Sequence, residues 1–273
     1  MLGVSNSRPI QTHNRQIAHR LFCFTYAGGA ASIYRNWSNQ LPQSIEAHAV
    51  QFPGHGNRLS EPLFRRVQPL VASTAQELMP YLEGSFAFFG HSMGAIISFE
   101  LAQMLRRENK PSPSHLFLSG RPATHLTERE APTYDLPEPE FIEELKKMGG
   151  TPQAVLEHPE LMSVLNPILR ADLEVCQTYE YEPGPPLDCP ITVFGGLQDE
   201  EVSREQLEGW RDYTTSTHQM DTAARLMRRP TARSVATAWV SVSCCSSVLM
   251  NRLPTVTSLM PSSEARPSTM TAR

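Results

Sequence analysis

A serine between two glycines is the residue of this sequence best suited to covalent chemistry. Ser92 is the third residue of the run GHSMG (residues 90–94), which fits the pattern G-x-S-x-G. A serine hydroxyl attacks an acyl carbon when a base accepts its proton and N–H groups stabilise the resulting oxyanion. Most serines flanked by glycines are ordinary turn residues, so the pattern predicts a nucleophile only where a strand precedes it and a helix follows it.

The residues on both sides of the motif supply that context. Residues 86–89 read FAFF, an apolar run of strand length, and apolar side chains recur at helical spacing after the motif. The helical set is Ala95, Ile96, Phe99, Leu101, Ala102 and Leu105. The flanking glycines let strand and helix approach closely, and the helix N-terminus favours developing negative charge. The sequence therefore predicts that Ser92 lies on a tight turn, a nucleophile elbow.

The alternation of strands and helices predicts the architecture around this turn. Apolar strand-like runs alternate with amphipathic helices from residue 20 to residue 120, which is typical of a mostly parallel sheet with right-handed crossovers. The alternation breaks over residues 121–190, where we predict two helices at 138–148 and 159–179. Residues 191–194 then resume the sheet. Ser203, with Gln206 three residues later, predicts a capping box at the start of the next helix.

An orienting acid and a base must accompany the serine, and in α/β-hydrolases they follow it in the order acid, then histidine. Asp199 fits the acid because it follows the strand at 191–194 in a short glycine-rich loop. The alternative is a solvated acidic loop that Asp199 forms with Glu200 and Glu201. His218 is the only histidine after Asp199 and is thus the formal candidate base. The usual topology disfavours His218, because it needs a further strand before the histidine and none precedes His218.

Two backbone N–H groups are candidates for the oxyanion hole. One belongs to Met93, directly after the serine, and the other lies near Ala27, in the loop after the first strand. The glycine pair that follows Ala27 permits close approach to a ligand, although it could also simply turn the chain. The other histidines do not supply a base. We expect the His91 side chain to point away from the elbow, and we interpret His55, in a turn, as structural or solvent-exposed.

Composition excludes several classes of partner. The chain has 273 residues, 40% of them hydrophobic and 19% charged, with a formal net charge of −4. This charge argues against nucleic acid or an anionic membrane as the main partner. No apolar run has the length of a membrane span, and no signal-peptide core precedes the first strand. Five cysteines at no metal-ligand spacing predict free thiols, no metal site and a cytoplasmic location.

The composition changes sharply after residue 217. Residues 218–273 contain no Gly, Phe, Tyr, Ile or Lys, but seven arginines and many Ser and Thr. A natural basic tail and a translational frame change both account for this shift. We therefore divide the chain into a flexible leader (1–19), an α/β core (20–217) and an atypical, disordered C-terminal part (218–273) to which we assign no strand.

Six blocks of sequence resemble the type II thioesterases, the stand-alone editing enzymes of nonribosomal peptide and polyketide synthesis. The resemblance covers residues 20–217 and keeps the family's order of blocks. The blocks are FTYAGGAAS (24–32), QFPGHGNR (51–58), FFGHSMGA (88–95), LFLSGRPA (116–123), LRADLEV (169–175) and VFGGLQDEEVS (193–203). Several blocks in order are far more specific than the elbow motif alone.

The resemblance implies an α/β-hydrolase fold and the hydrolysis of acyl groups from phosphopantetheine thiols of acyl or peptidyl carrier domains. It implies that Ser92 is the nucleophile, that Asp199 is the triad acid, and that Ala27 and Met93 form the oxyanion hole. Residues 121–190 become a mobile helical lid over the acyl pocket. No metal or organic cofactor is implied, because the phosphopantetheine arm arrives with the substrate.

The chain departs from the family at the histidine loop. The family's histidine is expected near residues 224–230, which here read ARLMRRP. Three alternatives to an active editing thioesterase therefore stay open: a general carboxylesterase or lipase on the same fold, a non-catalytic carrier-domain binder and a defective homologue. The PGHG run within the second block speaks against the carboxylesterase.

Overall fold

Seven strands form one sheet in the part of the chain that the structure, a computed structural model, describes: residues 4–5, 19–126, 131–196, 199 and 202–223. The strands are β1 (Val4–Ser5), β2 (His19–Phe24), β3 (Ile45–Val50), β4 (Phe86–His91), β5 (Leu116–Ser119), β6 (Ile191–Gly196) and β7 (His218–Ala223). They lie in the order β1-β3-β2-β4-β5-β6-β7. Only β1 runs antiparallel to its neighbour among these strands, so the predicted, mostly parallel sheet is confirmed.

The helices flank this sheet and fill the insertion between β5 and β6. They are α1 (Val67–Leu78), α2 (Met93–Arg107), α3 (Glu138–Met148), α4 (Gln153–Leu156), α5 (Pro159–Gln177) and α6 (Arg204–Glu208). The two helices predicted within the insertion are confirmed, since α3 has the predicted bounds and α5 ends two residues early. No described helix is long and apolar enough to cross a membrane.

The central strands are buried on both faces, which explains why they read as unbroken apolar runs. In β4, Phe86 and Phe88 pack with α1 and α2, whereas Ala87 and Phe89 face the opposite cluster. Helix α2 is buried along most of its length, because it lies directly against the sheet. The elbow therefore joins the two most buried elements of the core.

The insertion has an apolar cluster of its own. Its buried members come from all three helices: Phe141, Leu145, Leu156, Met162 and Leu169. The first half of α5 leaves Leu161 and Val164 about half exposed. In the second half of α5, Ala171 and Val175 are fully buried, and Val175 packs into the main core. The insertion is thus a small packed unit that is joined to the core by the end of α5.

The structure corrects the predicted boundaries at both ends. Two residues of the predicted leader form β1, and His19 begins β2. The prediction of no strand after residue 217 is wrong, because His218–Ala223 forms β7, parallel to β6. Its sequence, HQMDTA, lacks the apolar pattern that identifies a strand. Of the side chains described at residues 218–221, Met220 is the one that packs against the core. The predicted disordered C-terminal part otherwise lies outside the described residues.

Trp210 fixes the segment after α6 against the core. Its side chain is fully buried, and its Nε1 donates to the Arg121 carbonyl at 2.9 Å. The Trp210 ring packs edge-on against Phe99 at 5.1 Å. This contact joins the start of the insertion, helix α2 and the approach to β7.

Replacing Trp210 with alanine therefore opens a large cavity and removes the hydrogen-bond donor of the Arg121 carbonyl. We expect Trp210→Ala to lower the free energy of unfolding by about 3–5 kcal/mol, measured by urea denaturation. Leu161→Ala, at an exposed apolar position, serves as the control and should lower it by less than about 1 kcal/mol. Equal losses in the two variants would contradict this description of the core.

Candidate active site

The backbone at Ser92 has the strained geometry of a sharp strand-to-helix turn. Ser92 lies between β4 and α2 with φ 53° and ψ −110°, a region that non-glycine residues rarely adopt. Its N–H donates to the Ser119 carbonyl at 2.8 Å, which ties the turn to the end of β5. The predicted elbow is present, with the serine at the N-terminus of α2.

The glycines of the motif are required by backbone packing. A Cβ at Gly90 would lie 2.1 Å from the Gly94 carbonyl oxygen. A Cβ at Gly94 would lie 2.2 Å from the Phe24 carbonyl oxygen, at the end of β2. Both clashes are with backbone, so no side-chain rotation relieves them. The first turn of α2 therefore rests directly on the loop that follows β2.

The two candidate oxyanion donors lie on these two touching segments. Met93 is the first residue of α2, so its N–H is one of the donors that have no partner within the helix. Ala27 lies in the turn after β2, and β2 pairs with β4 in a register that places Phe24 beside Gly90. The predicted pair of donors is thus brought to the same edge of the sheet as Ser92.

Asp199 lies at the same edge, two strands away. It follows β6, whose last residue is Gly196, and β5 separates β6 from β4. The two strands are thus about 10 Å apart. Asp199 is half-buried, and its Oδ1 accepts from the Val202 N–H at 3.1 Å. Ser92 and Asp199 thus both follow the carboxyl ends of their strands, with β5 between them.

His218 is not brought to this edge. It is the first residue of β7 and pairs with Ile191, the first residue of β6, whereas Ser92 and Asp199 follow the carboxyl ends of their strands. A six-residue strand spans about 16 Å, so His218 lies at the far edge of the sheet. Burial, and then the charge of Arg211, lower the pKa of His218. His218 is therefore not positioned as the base of Ser92.

The residues that follow β7 start at position 224 and lie outside the described residues. In an α/β-hydrolase this loop reaches the edge that holds the serine and the acid. No histidine occurs in the sequence after His218. The sequence therefore has no histidine at the position at which this topology would place the base.

His91 and His55 have different roles from that of a base. The His91 ring lies against Ser119, with Nδ1 3.2 Å from its Oγ, and edge-on to Tyr26 at 5.8 Å. Burial lowers the pKa of His91 to about 4, so its ring is neutral at pH 7. Of the two roles predicted for His55, structural or solvent-exposed, the structural one is confirmed, since only 4% of its surface is accessible.

His55 forms a buried pair with Asp172 of α5, and this pair was not anticipated from the sequence. His55 Nε2 lies 2.8 Å from Asp172 Oδ2, and its Nδ1 lies 2.9 Å from the Pro53 carbonyl oxygen. The same Asp172 oxygen accepts from the Gly28 N–H at 2.6 Å. Both residues lie in blocks that resemble the family, PGHG and LRADLEV, and that is the signal that could have found them.

Two acceptors set the charge of His55. A carbonyl and a carboxylate can only accept, so both ring nitrogens carry hydrogen and the ring is an imidazolium. Burial alone would lower the pKa of His55, but the hydrogen bond and the charge of Asp172 raise it above its usual value. The pair is therefore a buried salt bridge that joins α5 to two loops of the core.

A second charged contact holds α5 nearby. Glu174 accepts from Arg65 at 2.7 Å and also from Arg66, the residue that precedes α1. Burial would raise the pKa of Glu174, and the two arginines lower it. Helix α5 is thus attached to the core by two carboxylates, only one of which contacts the loop after β2.

The sheet order and the elbow define an α/β-hydrolase. The family model described as Thioesterase domain matches residues 19–239, so the chain belongs to the thioesterase family. The gramicidin S biosynthesis protein GrsT of Aneurinibacillus migulanus is 46% identical over 195 residues, 71% of this chain and 76% of that protein. The match to the family model extends to residue 239, which is 22 residues past position 217, where the composition of the sequence changes.

Solved structures agree with this membership. The thioesterase RedJ from the prodiginine pathway of Streptomyces coelicolor superposes with a TM-score of 0.70 at 38% identity, over 75% of this chain and 81% of that chain. The type II thioesterase BorB from the borrelidin cluster superposes with a TM-score of 0.77 at 27% identity, over 91% and 96% of the two chains. The family expected from the sequence blocks is confirmed.

The elbow packing makes a prediction about stability. Gly94→Ala forces a methyl group into the backbone of the loop after β2, so we expect it to lower the free energy of unfolding by about 2–3 kcal/mol or more. Gly184→Ala is the matched control, because the nearest atom to its added Cβ is the tip of Arg106 at 3.8 Å. Chemical denaturation compares the two variants, and a Gly94→Ala protein as stable as Gly184→Ala would refute the packing argument.

Proposed function

We propose that this chain is a serine-type thioesterase that removes acyl groups from the phosphopantetheine thiols of acyl or peptidyl carrier domains. One observation carries the proposal: an elbow serine, Ser92, precedes the first turn of α2 in a chain of the thioesterase family. The relatives support this substrate class, because their names place them in gramicidin S, prodiginine and borrelidin biosynthesis. Clearing stalled or mis-primed synthases is the role that fits such a stand-alone hydrolase.

In the proposed reaction Ser92 Oγ attacks the carbonyl carbon of the thioester. The oxyanion that forms accepts hydrogen bonds from the N–H groups of Met93 and Ala27. The C–S bond then breaks, and the pantetheine thiol leaves with a proton. Water attacks the acyl-serine in a second step and releases the carboxylic acid. No metal or organic cofactor takes part, since the phosphopantetheine belongs to the carrier domain.

The base decides how fast this reaction runs. In a complete triad Asp199 would orient a histidine that accepts the Ser92 proton, but the sequence has no histidine after His218. We therefore propose that the chain retains the nucleophile, the acid and the oxyanion hole, and that it hydrolyses its thioester substrate slowly. Loss of the triad histidine in subtilisin lowers kcat on the order of 10⁶-fold. The same absence favours a second candidate function, carrier-domain binding without turnover.

We propose that the insertion acts as a lid above the serine. It connects the carboxyl end of β5 to β6 and has its own apolar cluster. Because Asp172 and Glu174 attach the second half of α5 to the core, we assign lid movement to α3, α4 and the first half of α5. We further propose a cytoplasmic location, in which Cys23 and Cys189 stay reduced.

Removal of the nucleophile tests the proposal. With an acyl-loaded carrier domain as substrate, the wild-type protein should release the acyl group faster than buffer alone, and Ser92→Ala should release it at the buffer rate. Intact-mass measurement of the carrier domain follows the loss of the acyl mass. Circular dichroism verifies that Ser92→Ala is folded. Equal release by the two folded proteins would exclude Ser92 as the nucleophile.

Added imidazole distinguishes slow turnover from binding alone. Imidazole supplies the missing proton acceptor, so it should raise the Ser92-dependent release by about 10-fold or more. Ser92→Ala with imidazole is the control, because imidazole also attacks thioesters directly. Fast wild-type release that imidazole does not increase would show that another group of the chain is the base. No Ser92-dependent release under either condition would favour the carrier-binding function.

A further inference from the structure

Two N–H groups of the loop after β2 donate to acceptors. The Gly28 N–H donates to Asp172 Oδ2 at 2.6 Å, and the Gly29 N–H donates to the Tyr26 carbonyl at 2.9 Å. Of the three N–H groups at residues 27–29, the Ala27 N–H is the one for which the described residues supply no acceptor. The orientation of Ala27 is thus fixed by the bonds of its two neighbours.

Asp172 reaches this loop from α5, on a helix face that it shares with Leu169. Gly28 adopts φ +76°, and a Cβ there would lie 2.5 Å from Leu169 Cδ2. Leu169 and Asp172 are three residues apart and therefore lie on the same side of the helix. Leu169 covers the Gly28 Cα, and Asp172 accepts from the Gly28 N–H. The turn conformation at Gly28 is held from outside the core by α5.

His55 completes this arrangement from the opposite side. Asp172 is 2% exposed and His55 is 4% exposed, so the carboxylate is removed from water. A buried carboxylate is tolerated when it is paired and hydrogen-bonded. His55 Nε2 donates to Asp172 Oδ2 at 2.8 Å, while Nδ1 donates to the Pro53 carbonyl at 2.9 Å. The imidazolium is held at both nitrogens, which also prevents it from accepting the proton of Ser92.

We propose that Asp172 and His55 are positioning residues for the oxyanion hole. Asp172 holds the Gly28 N–H, and this aims the preceding Ala27 N–H at the oxyanion formed on Ser92. His55 holds the Asp172 carboxylate in its orientation. The inference rests on the proposed function, because it assumes that Ser92 is the nucleophile. Neither side chain touches the reacting atoms, so both act through the loop after β2.

A fluorophosphonate that carries a short acyl-like chain tests the inference in one covalent step at Ser92. The missing base slows this step in the wild-type protein and in every variant alike. Ser92 Oγ bonds to phosphorus, the P–F bond breaks, and fluoride and the hydroxyl proton are released to solvent. The phosphoryl oxygen takes the place of the oxyanion. Intact-mass measurement at several reagent concentrations separates the maximal labelling rate from the half-saturating concentration. Asp172→Asn should lower the maximal rate by about 10-fold or more, given the 10²–10³-fold cost of a lost oxyanion donor, and leave the half-saturating concentration within about twofold.

Glu174→Gln is the matched control. Glu174 is also a buried carboxylate of α5 in a salt bridge, but its partners are Arg65 and Arg66 rather than the loop after β2. If the labelling rate depends on the Gly28 contact rather than on attachment of α5 to the core in general, Glu174→Gln should be labelled at the wild-type rate. Equal slowing in the two variants, or no slowing in Asp172→Asn, would overturn the inference. Wild-type protein that is not labelled at Ser92 would overturn the proposed function and this inference with it.

His55→Gln provides a second variant should Asp172→Asn fail to fold. Glutamine can still donate an N–H to Asp172 but loses the charge and the bond to Pro53. We expect a smaller fall in the maximal labelling rate than with Asp172→Asn. The Gly28 amide gives a further readout, because its exchange with solvent should speed up in either variant and remain unchanged in Glu174→Gln. An unchanged Gly28 amide in folded His55→Gln would contradict the proposed chain of contacts.

Discussion

The close approach of backbone to backbone at the Ser92 turn is the constraint on which the rest of the structure depends. Gly90 packs on Gly94, and Gly94 packs on the carbonyl of Phe24, with no room for a methyl group at either glycine. This contact holds the serine at a positive φ and presses the first turn of α2 against the loop after β2. The candidate nucleophile and its two candidate oxyanion donors are therefore fixed relative to one another by the core.

A second set of contacts joins the insertion to that core. Asp172 accepts from Gly28 and pairs with His55, so one buried carboxylate connects α5, the loop after β2 and the PGHG turn. Buried ion pairs add little net stability, because desolvation offsets their attraction, but they specify geometry when every group is paired. In this fold the geometry specified is that of the turn next to the serine.

Much of the fold could be predicted because its signals are local. The strand, turn and helix around Ser92, the capping box at Ser203 and the bounds of α3 follow from spacing within a few residues, and the structure confirms them. Strand β7 could not be predicted, because it is held by backbone pairing with β6 and has little apolar pattern. Helix propensity and periodicity do not report such pairing.

The candidate site was predicted in part. Ser92, Asp199, Ala27 and Met93 fall on one edge of the sheet, as their places after strands indicate, whereas His218 starts its strand and falls on the other. His55 and Asp172 are 117 residues apart in sequence, so only the packing of α5 on the core brings them together. The family resemblance includes the block of each residue, but it does not indicate that His55 and Asp172 are in contact.

The structure of the fluorophosphonate adduct tests the central claim most directly. The account predicts phosphorus bound to Ser92 Oγ, with the phosphoryl oxygen about 3 Å from the N–H groups of both Met93 and Ala27. A phosphoryl oxygen that points away from these two groups, or an adduct on a residue other than Ser92, would contradict it.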